Sequence, residues 1–224
     1  LLTLVILALQ TKAYCNIFFV KTNRIIWIAI LAVLATITYY SLTGKQSLEK
    51  YTQELLQERK EKDLFMQSNS GSPFVVASVP FQPLKYFDPN YDYRIVANLQ
   101  PATEKKVIVV TTNDGLEKRY LPYGYAEFTL HGEKCKLLIL EVMDSGPYRG
   151  TLFLAFADAT SANETYGAGR YLDVKKTPGA STITLDFNQA YNPYCAYADS
   201  FSCPFPPKEN VLKIPIRAGE KSFH

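Results

Sequence analysis

Hydrophobic positions change their rhythm along this chain. From Ile25 to Leu42 they run almost unbroken (IIWIAILAVLATITYYSL) with no charged side chain. A stretch of about 18 apolar residues matches a hydrocarbon core some 30 Å thick, so it predicts a single transmembrane helix. Trp27 near one end and Tyr39 and Tyr40 near the other put amphipathic rings where an interface favours them. Between Gln46 and Gln67 the pattern is mixed: good helix formers, Glu58 and Lys62 at a favourable i, i+4 spacing, and Leu48, Tyr51, Leu55 and Phe65 as a broken apolar stripe. It predicts a short helical stalk, either solvated or docked on the following domain by its N-terminal half, that ends at the breaker Ser68-Asn69-Ser70-Gly71-Ser72-Pro73.

Beyond Phe74 the period drops to two. Arg94–Leu99, Lys106–Thr112, Leu116–Leu121, Tyr123–Leu130, Lys134–Val142, Thr151–Phe156, Ser181–Phe187 and Val211–Arg217 are candidate strands. Asn113-Asp114-Gly115 and His131-Gly132 supply residues that tolerate hairpin turns. Cys135, Leu137 and Ile139 alternate with Lys136, Leu138 and Leu140, so one face of that strand is buried and the other partly so. Successive hairpins predict a mainly β, antiparallel domain that rolls into a partly closed barrel or compact sandwich, preceded by the transmembrane helix and the short helical segment. No βαβ rhythm and no internal repeat is visible, which argues against a doubly wound nucleotide fold.

The predicted organisation is an upstream extension or disordered tail over 1–20, a transmembrane anchor over 21–44, a helical stalk over 45–67 and a β domain over 68–224. VKTNRIIWIAI from Val20 reads like a bacterial start, a basic segment followed by an apolar run, which suggests translation from Val20 and residues 1–19 as upstream read-through. Lys21 and Arg24 before the span favour a cytoplasmic N-terminus and an extracytoplasmic C-terminal domain, a bias that Lys45 and Lys50 weaken. The run lacks the small-residue cleavage pattern of a signal peptide, and Cys15 precedes it, so an uncleaved anchor is preferred.

Composition narrows the chemistry. Formal charge is only +3 and no basic stripe carries interleaved aromatics, so the expectation is no nucleic-acid partner. Tyr (16) and Phe (13) favour strands, and 13 Pro with 11 Gly punctuate short elements. With only His131 and His224 available, His-rich zinc sites and most histidine catalysis are disfavoured. No metal and no cofactor is expected.

Polar residues crowd the last third: Asp158, Thr160 and Glu164–Asp173; Asp186–Asn188 and Tyr191–Tyr197; and Cys203–Asn210 with Ile216–Glu220. The segments ETYGAGRYLD, LDFNQAYNPYCAY, CPFPPKEN and IRAGEK, with YFDPNYDYRIVA upstream, resemble family 1684 of the domains of unknown function. The resemblance covers about Tyr51 to Lys221 and leaves out the apolar span. Ala162 stands where the family usually reads Gly, and Tyr194 where a second Pro is common. The family brings no established activity, so it assigns no catalytic residue.

Residue chemistry therefore defines the candidates. Gly167 and Gly169 flank Ala168 in a turn whose N–H groups could cradle an anion, and Arg170 follows at once with a guanidinium that forks onto carboxylate or phosphate. The plainer reading, placed somewhat ahead, pairs Arg170 internally with Asp158, Glu164 or Asp173. Asp158, Glu164, Asp173, Asp186 and Glu209 could include an acid/base pair if they converge in a cleft. Asn188, Asn192 and Asn210 fit turn fixing better than ligand contact. Tyr166, Tyr171, Tyr191 and Tyr197 fit a core shell with polar tips, or a stacking platform. The ligand-binding candidates are Asp158, Glu164, Tyr166, Gly167, Gly169, Arg170, Asn188, Asn192 and Tyr197. Cys195 and Cys203 are the disulfide candidate, with buried free thiols or a thiolate metal site as competing readings; Cys135 reads as a small core residue. The function this suggests is a membrane-anchored extracytoplasmic β domain that binds a small polar ligand or a protein partner. The alternative is a hydrolase using loop carboxylates with Arg170 as anion or oxyanion stabiliser.

Overall fold

The computed structural model describes residues 2–224, with side chains described for 26–39 and 47–224. The chain divides into two units, Leu1–Tyr51 and Thr52–His224. The separate transmembrane and stalk helices expected from the sequence are one helix, α1, over Leu2–Ser68. The sequence between them contains Gly44 but no proline, and Gly alone is tolerated inside a helix at a cost of about 1 kcal/mol. Residues 25 and 40–42 of the apolar run, and the flanking Lys21, Arg24 and Lys45, lie outside the described side chains, as do the expected extension over 1–20 and Cys15. Among the described residues no helix is long and apolar enough to cross a membrane.

In the second unit, the last turns of α1 bury Leu55 and Met66. After them comes a one-turn helix α2 (Pro73–Val76), capped by the Ser72 hydroxyl, which accepts the Phe74 N–H at 3.2 Å. Phe74 and Met66 pack with Leu84 and Tyr197 in a satellite core.

The sheet is built from β1 (Arg94–Pro101), β2 (Ile108–Thr111), β3 (Glu117–Leu130), β4 (Glu133–Val142), β5 (Leu152–Phe156), β6 (Arg170–Val174) and β7 (Thr182–Asp186). Its order is β6-β5-β4-β3-β1-β7, with β2 also on β3, and all named pairs are antiparallel. The sheet rolls until β6 and β7 touch without pairing. The result is a half-barrel, the partly closed form of the expected mainly β fold. Two strands expected over 116–121 and 123–130 are one long β3. The register shifts between Pro122 and Gly124 let its first part pair with β2 and its second with β1. A Cβ on Gly124 would lie 2.7 Å from the Gln100 carbonyl, so the bend needs glycine there.

Alternation along the strands turns Ala97, Leu99, Phe128, Leu137, Ile139, Leu154, Phe156, Leu172 and Leu185 into the barrel core. Leu138 and Leu140, on the opposite face of β4, are also buried, together with Val110 and Tyr120. The Pro-rich segment after β7 helps cover that outer face through Asn210. Its amide donates to the Leu138 and Ala155 carbonyls (both 2.8 Å) and accepts the Leu138 N–H at 2.6 Å, bridging β4 and β5 as a strand would. The strand expected over Val211–Arg217 does not form. Val211 makes an isolated bridge to Ala157, the Leu212 N–H donates to the Ala157 carbonyl at 2.8 Å and the Ala159 N–H to the Ile214 carbonyl at 3.2 Å, and side chains then take up Ile216 and Ala218.

Candidate functional site

Those side chains are Arg170 and Asp158. Arg170 opens β6 and is about 1% exposed. Its guanidinium donates to Asp158 Oδ2 at 2.9 Å, to the Ile216 carbonyl at 2.8 Å and the Glu220 carbonyl at 3.2 Å, and also to the Ala218 carbonyl. Residues 216, 218 and 220 thus offer three carbonyls of one short segment, bent at Gly219 (φ +76°), to a single fork. The other oxygen of Asp158 accepts the Ile216 N–H at 3.1 Å, the Thr160 N–H at 2.8 Å and the Thr160 hydroxyl at 2.6 Å. Burial works against the Arg170 charge and the Asp158 carboxylate supports it. Arg170 Nε is buried with no hydrogen-bond partner, while Phe156 presents its ring 5.3 Å from the guanidinium carbon.

The glycines ahead of Arg170 serve close packing. Gly169 sits at φ +88° and a Cβ there would meet the Phe156 carbonyl at 2.6 Å and Pro206 at 2.7 Å. Its N–H is already bonded to the Tyr166 carbonyl at 3.1 Å. Gly167 faces Ala162 at ordinary contact distance.

A second buried centre is Glu220, which the sequence reading placed in a cluster without naming it as a candidate. It accepts the Asn192 N–H at 2.8 Å, the Tyr197 hydroxyl, and the Tyr86 hydroxyl at 3.3 Å, and it pairs with Lys62 Nζ at 2.6 Å. Burial and the neighbouring Glu220 carboxylate push the Tyr86 and Tyr197 phenols well above their ordinary range. Lys62 reaches Glu220 from α1, and Arg59 one turn earlier donates to the Phe87 carbonyl at 2.9 Å and the Asn188 carbonyl at 3.3 Å. The stalk segment docks, but through Leu55, Arg59, Lys62 and Met66, from its middle onward, and not through its N-terminal half, where Leu48 is exposed. Of the expected apolar stripe, Leu55 is buried while Leu48 and Phe65 are exposed; the docked side carries Leu55, Arg59, Lys62 and Met66.

The remaining candidates scatter. Glu164 lies at the surface in a bidentate pair with Arg217, which holds its carboxyl below the usual range. Asn188 exchanges bonds with the Asn90 backbone at 2.8 and 2.9 Å. Asn192 donates to the Lys221 carbonyl at 2.9 Å, and its Oδ1 is buried without a partner. Asp158, Glu164, Arg170 and Asn188 do not converge on one cleft. Among the described residues no group of three or more His, Cys, Asp and Glu is placed to hold a metal.

An open pocket of about 390 Å³ lies beside these networks, lined by Ala77, Val79, Tyr166, Tyr197, Asp199 and His224, with Cys195 in its wall. Tyr166 and Tyr197 are the two sequence candidates that reach it. Burial raises the Tyr166 phenol to about 12. The disulfide expected between Cys195 and Cys203 is not formed: both are buried free thiols. They are neighbours all the same, with Cys203 Sγ accepting the Cys195 N–H at 3.3 Å.

Known proteins agree with this architecture. A solution NMR structure of an uncharacterized protein from Haloarcula marismortui is 35% identical, with a TM-score of 0.59, and the match covers 79% of this chain and 96% of that one. No curated protein matches. The DUF1684 profile, described as a protein of unknown function, matches residues 80–221, a span that holds all seven strands, both buried charge centres and the cysteine pair, and the chain belongs to that family.

Proposed function

We propose that the chain is a membrane-anchored, extracytoplasmic binding domain, and that its small polar ligand enters the pocket beside Tyr166 and Tyr197. The observation that carries the binding part is a division of labour among the polar residues. Arg170, Asp158 and Glu220 spend their hydrogen bonds on the protein's own backbone and side chains. The pocket instead offers the Tyr166 phenol, the Asp199 carboxylate and the His224 imidazole against the small apolar side chains of Ala77 and Val79, while Tyr197, its hydroxyl bonded to Glu220, contributes its ring. That mixture suits a compact polar molecule with one apolar edge. A hydrolase would need free carboxylates converging on a cleft, and the buried Asp158–Arg170 pair opposes that reading.

The anchor is supported by the described part of the apolar run. Trp27, Ile28, Leu31, Val33, Leu34 and Ile37 are all more than half exposed, and the sector they leave open carries Ala29, Ala32 and Thr36, with no charged side chain on any face. A helix apolar all round is stable only in a core or in lipid. The basic residues ahead of the run point its C-terminal side outward.

Two measurements test the proposal. The full chain, expressed in bacteria, stays with membranes after alkaline carbonate washing, and L31R with L34R releases it; recovery of the natural chain in the washed supernatant overturns the anchor. In detergent, a thermal-shift screen of sugars, carboxylates and phosphates yields a ligand whose stabilisation Y166F and D199N reduce. A ligand at about 100 times its dissociation constant contributes about 2.7 kcal/mol. A flat screen, or a hit indifferent to both substitutions, overturns the binding site.

A further inference from the structure

Three buried thiols are described, and they differ sharply in setting. Cys135 points into the barrel core, its thiol near the Glu133 carbonyl at 3.7 Å, and burial makes it harder to ionise. Cys195 and Cys203 share one small cluster with Ala155 and Tyr171 on the outer face of the sheet.

The backbone holds both of these cysteines in place. Cys195 lies in a 3-10 turn, Tyr194–Ala196, closed by the Ala196 N–H on the Pro193 carbonyl at 2.9 Å. Cys203 is clipped to the turn between β2 and β3: its N–H donates to Asn113 Oδ1 at 2.7 Å, and its carbonyl accepts the Asn113 N–H at 3.1 Å. Joining the sulfurs therefore requires little ordering of the loop, which is already fixed at both ends. Cys195 forms part of the pocket wall, where the Tyr166 hydroxyl lies 3.8 Å from its sulfur, and Cys203 is absent from that lining. An incoming molecule in the pocket meets Cys195 in the wall and not Cys203.

We propose that Cys195 and Cys203 are a thiol–disulfide exchange site that opens on this pocket and takes a small disulfide as its oxidising partner. Cys195, as thiolate, attacks one sulfur of the incoming disulfide; an S–S bond forms to Cys195 and the first small thiol leaves. Cys203, as thiolate, then attacks Cys195 Sγ and expels the second small thiol. The two cysteines lose two electrons and two protons, and the incoming disulfide gains both as two thiols. Cys203 is suited to the second step. The hydrogen bond from the Cys195 thiol, the backbone N–H groups of Cys195 and Tyr194, and the charge of Lys118 favour its thiolate against burial. The two thiols share a proton that makes Cys195 the harder of the two to ionise while Cys203 is charged, so Cys203 takes this proton as Cys195 attacks and gives it up to the departing small thiolate before its own attack. This chemistry uses the pocket but needs no other ligand in it, so it can fail or succeed separately from the binding proposal.

The test is redox equilibration of the natural full chain, in detergent and without denaturant, against mixtures of reduced and oxidised glutathione. After acid quench and alkylation, peptide mapping reads which cysteines are linked. The expected result is a Cys195–Cys203 linked peptide that grows as the mixture becomes oxidising and disappears when it is made reducing, with the circular dichroism spectrum unchanged. C203S should stop at a glutathione adduct on Cys195, and C195S should take up much less at Cys203. The proposal is overturned if both cysteines stay alkylatable in oxidised glutathione. It is equally overturned if the bond forms but can be reduced only after the protein is unfolded, which would make it a static crosslink.

Discussion

Ala162 has φ +66°, in the left-handed region that side chains with a Cβ avoid, at the position where DUF1684 sequences usually read glycine. The turn is imposed by its surroundings: Ala162 N–H bonds to the Thr165 carbonyl at 3.1 Å, and Thr160 accepts three backbone N–H groups from residues 163–165. Replacing Ala162 with glycine relieves about 1–2 kcal/mol of strain and returns up to about 1 kcal/mol to unfolded-chain freedom. A162G should therefore raise the urea midpoint slightly, and a lower midpoint would contradict the strain assigned here. Gly169 is the converse. Its position is closed on two sides by the Phe156 carbonyl and Pro206, so G169A should destabilise, the reverse of the gain of about 0.5–1 kcal/mol that replacing Gly by Ala brings inside an ordinary helix or strand. Both positions are visible in the sequence as departures or glycines, but only the fold tells steric need from ligand contact. The same holds for Arg170. Its internal pairing with Asp158 was one of the alternatives the sequence offered; its bonds to three carbonyls of 216–220 were not legible, because backbone acceptors leave no mark in composition.

At the scale of elements, strands with clean alternation and strong turns were legible within a few residues, as β1, β4, β5 and β7 show. β6 was hidden because RYLDV carries two charged residues in five, one of them buried in an ion pair. Val211–Arg217 has strand composition but only an isolated parallel bridge, with backbone bonds to Ala157 and Ala159, because Arg170 and Asp158 take up its continuation. The docking of α1 was obscured by Lys62, whose charge looks solvated until Glu220 is found beside it. Met66 is fully buried against Phe74 and Leu84. M66A should cost about 2–5 kcal/mol through lost contacts and a residual cavity. Chemical denaturation checks this, and a cost below about 1 kcal/mol would mean that α1 rests loosely on the domain.

For the whole molecule, buried phenols set the alkaline limit. Tyr86, Tyr171 and Tyr197 are held neutral chiefly by burial, with ionisation well above the value of about 10 of an unfolded chain. Because the folded state retains protons that the unfolded state releases, their contribution is fully present below pH of about 10 and is lost as pH rises through the folded values. Urea midpoints should fall steadily above that pH, while tyrosinate absorbance of the folded protein lags that of the unfolded chain. Coincident titration of both states would contradict the burial of these hydroxyls. The central claim is that the charged residues of the last third hold the chain to itself and leave ligand contact to the pocket. Urea unfolding of R170M tests it most directly. Removing the guanidinium leaves Asp158 buried and unpaired and three carbonyls without a donor, so a loss of about 3–5 kcal/mol, or failure to fold, is predicted. An R170M protein that unfolds at the natural midpoint would contradict the account and make Arg170 a residue reserved for a ligand.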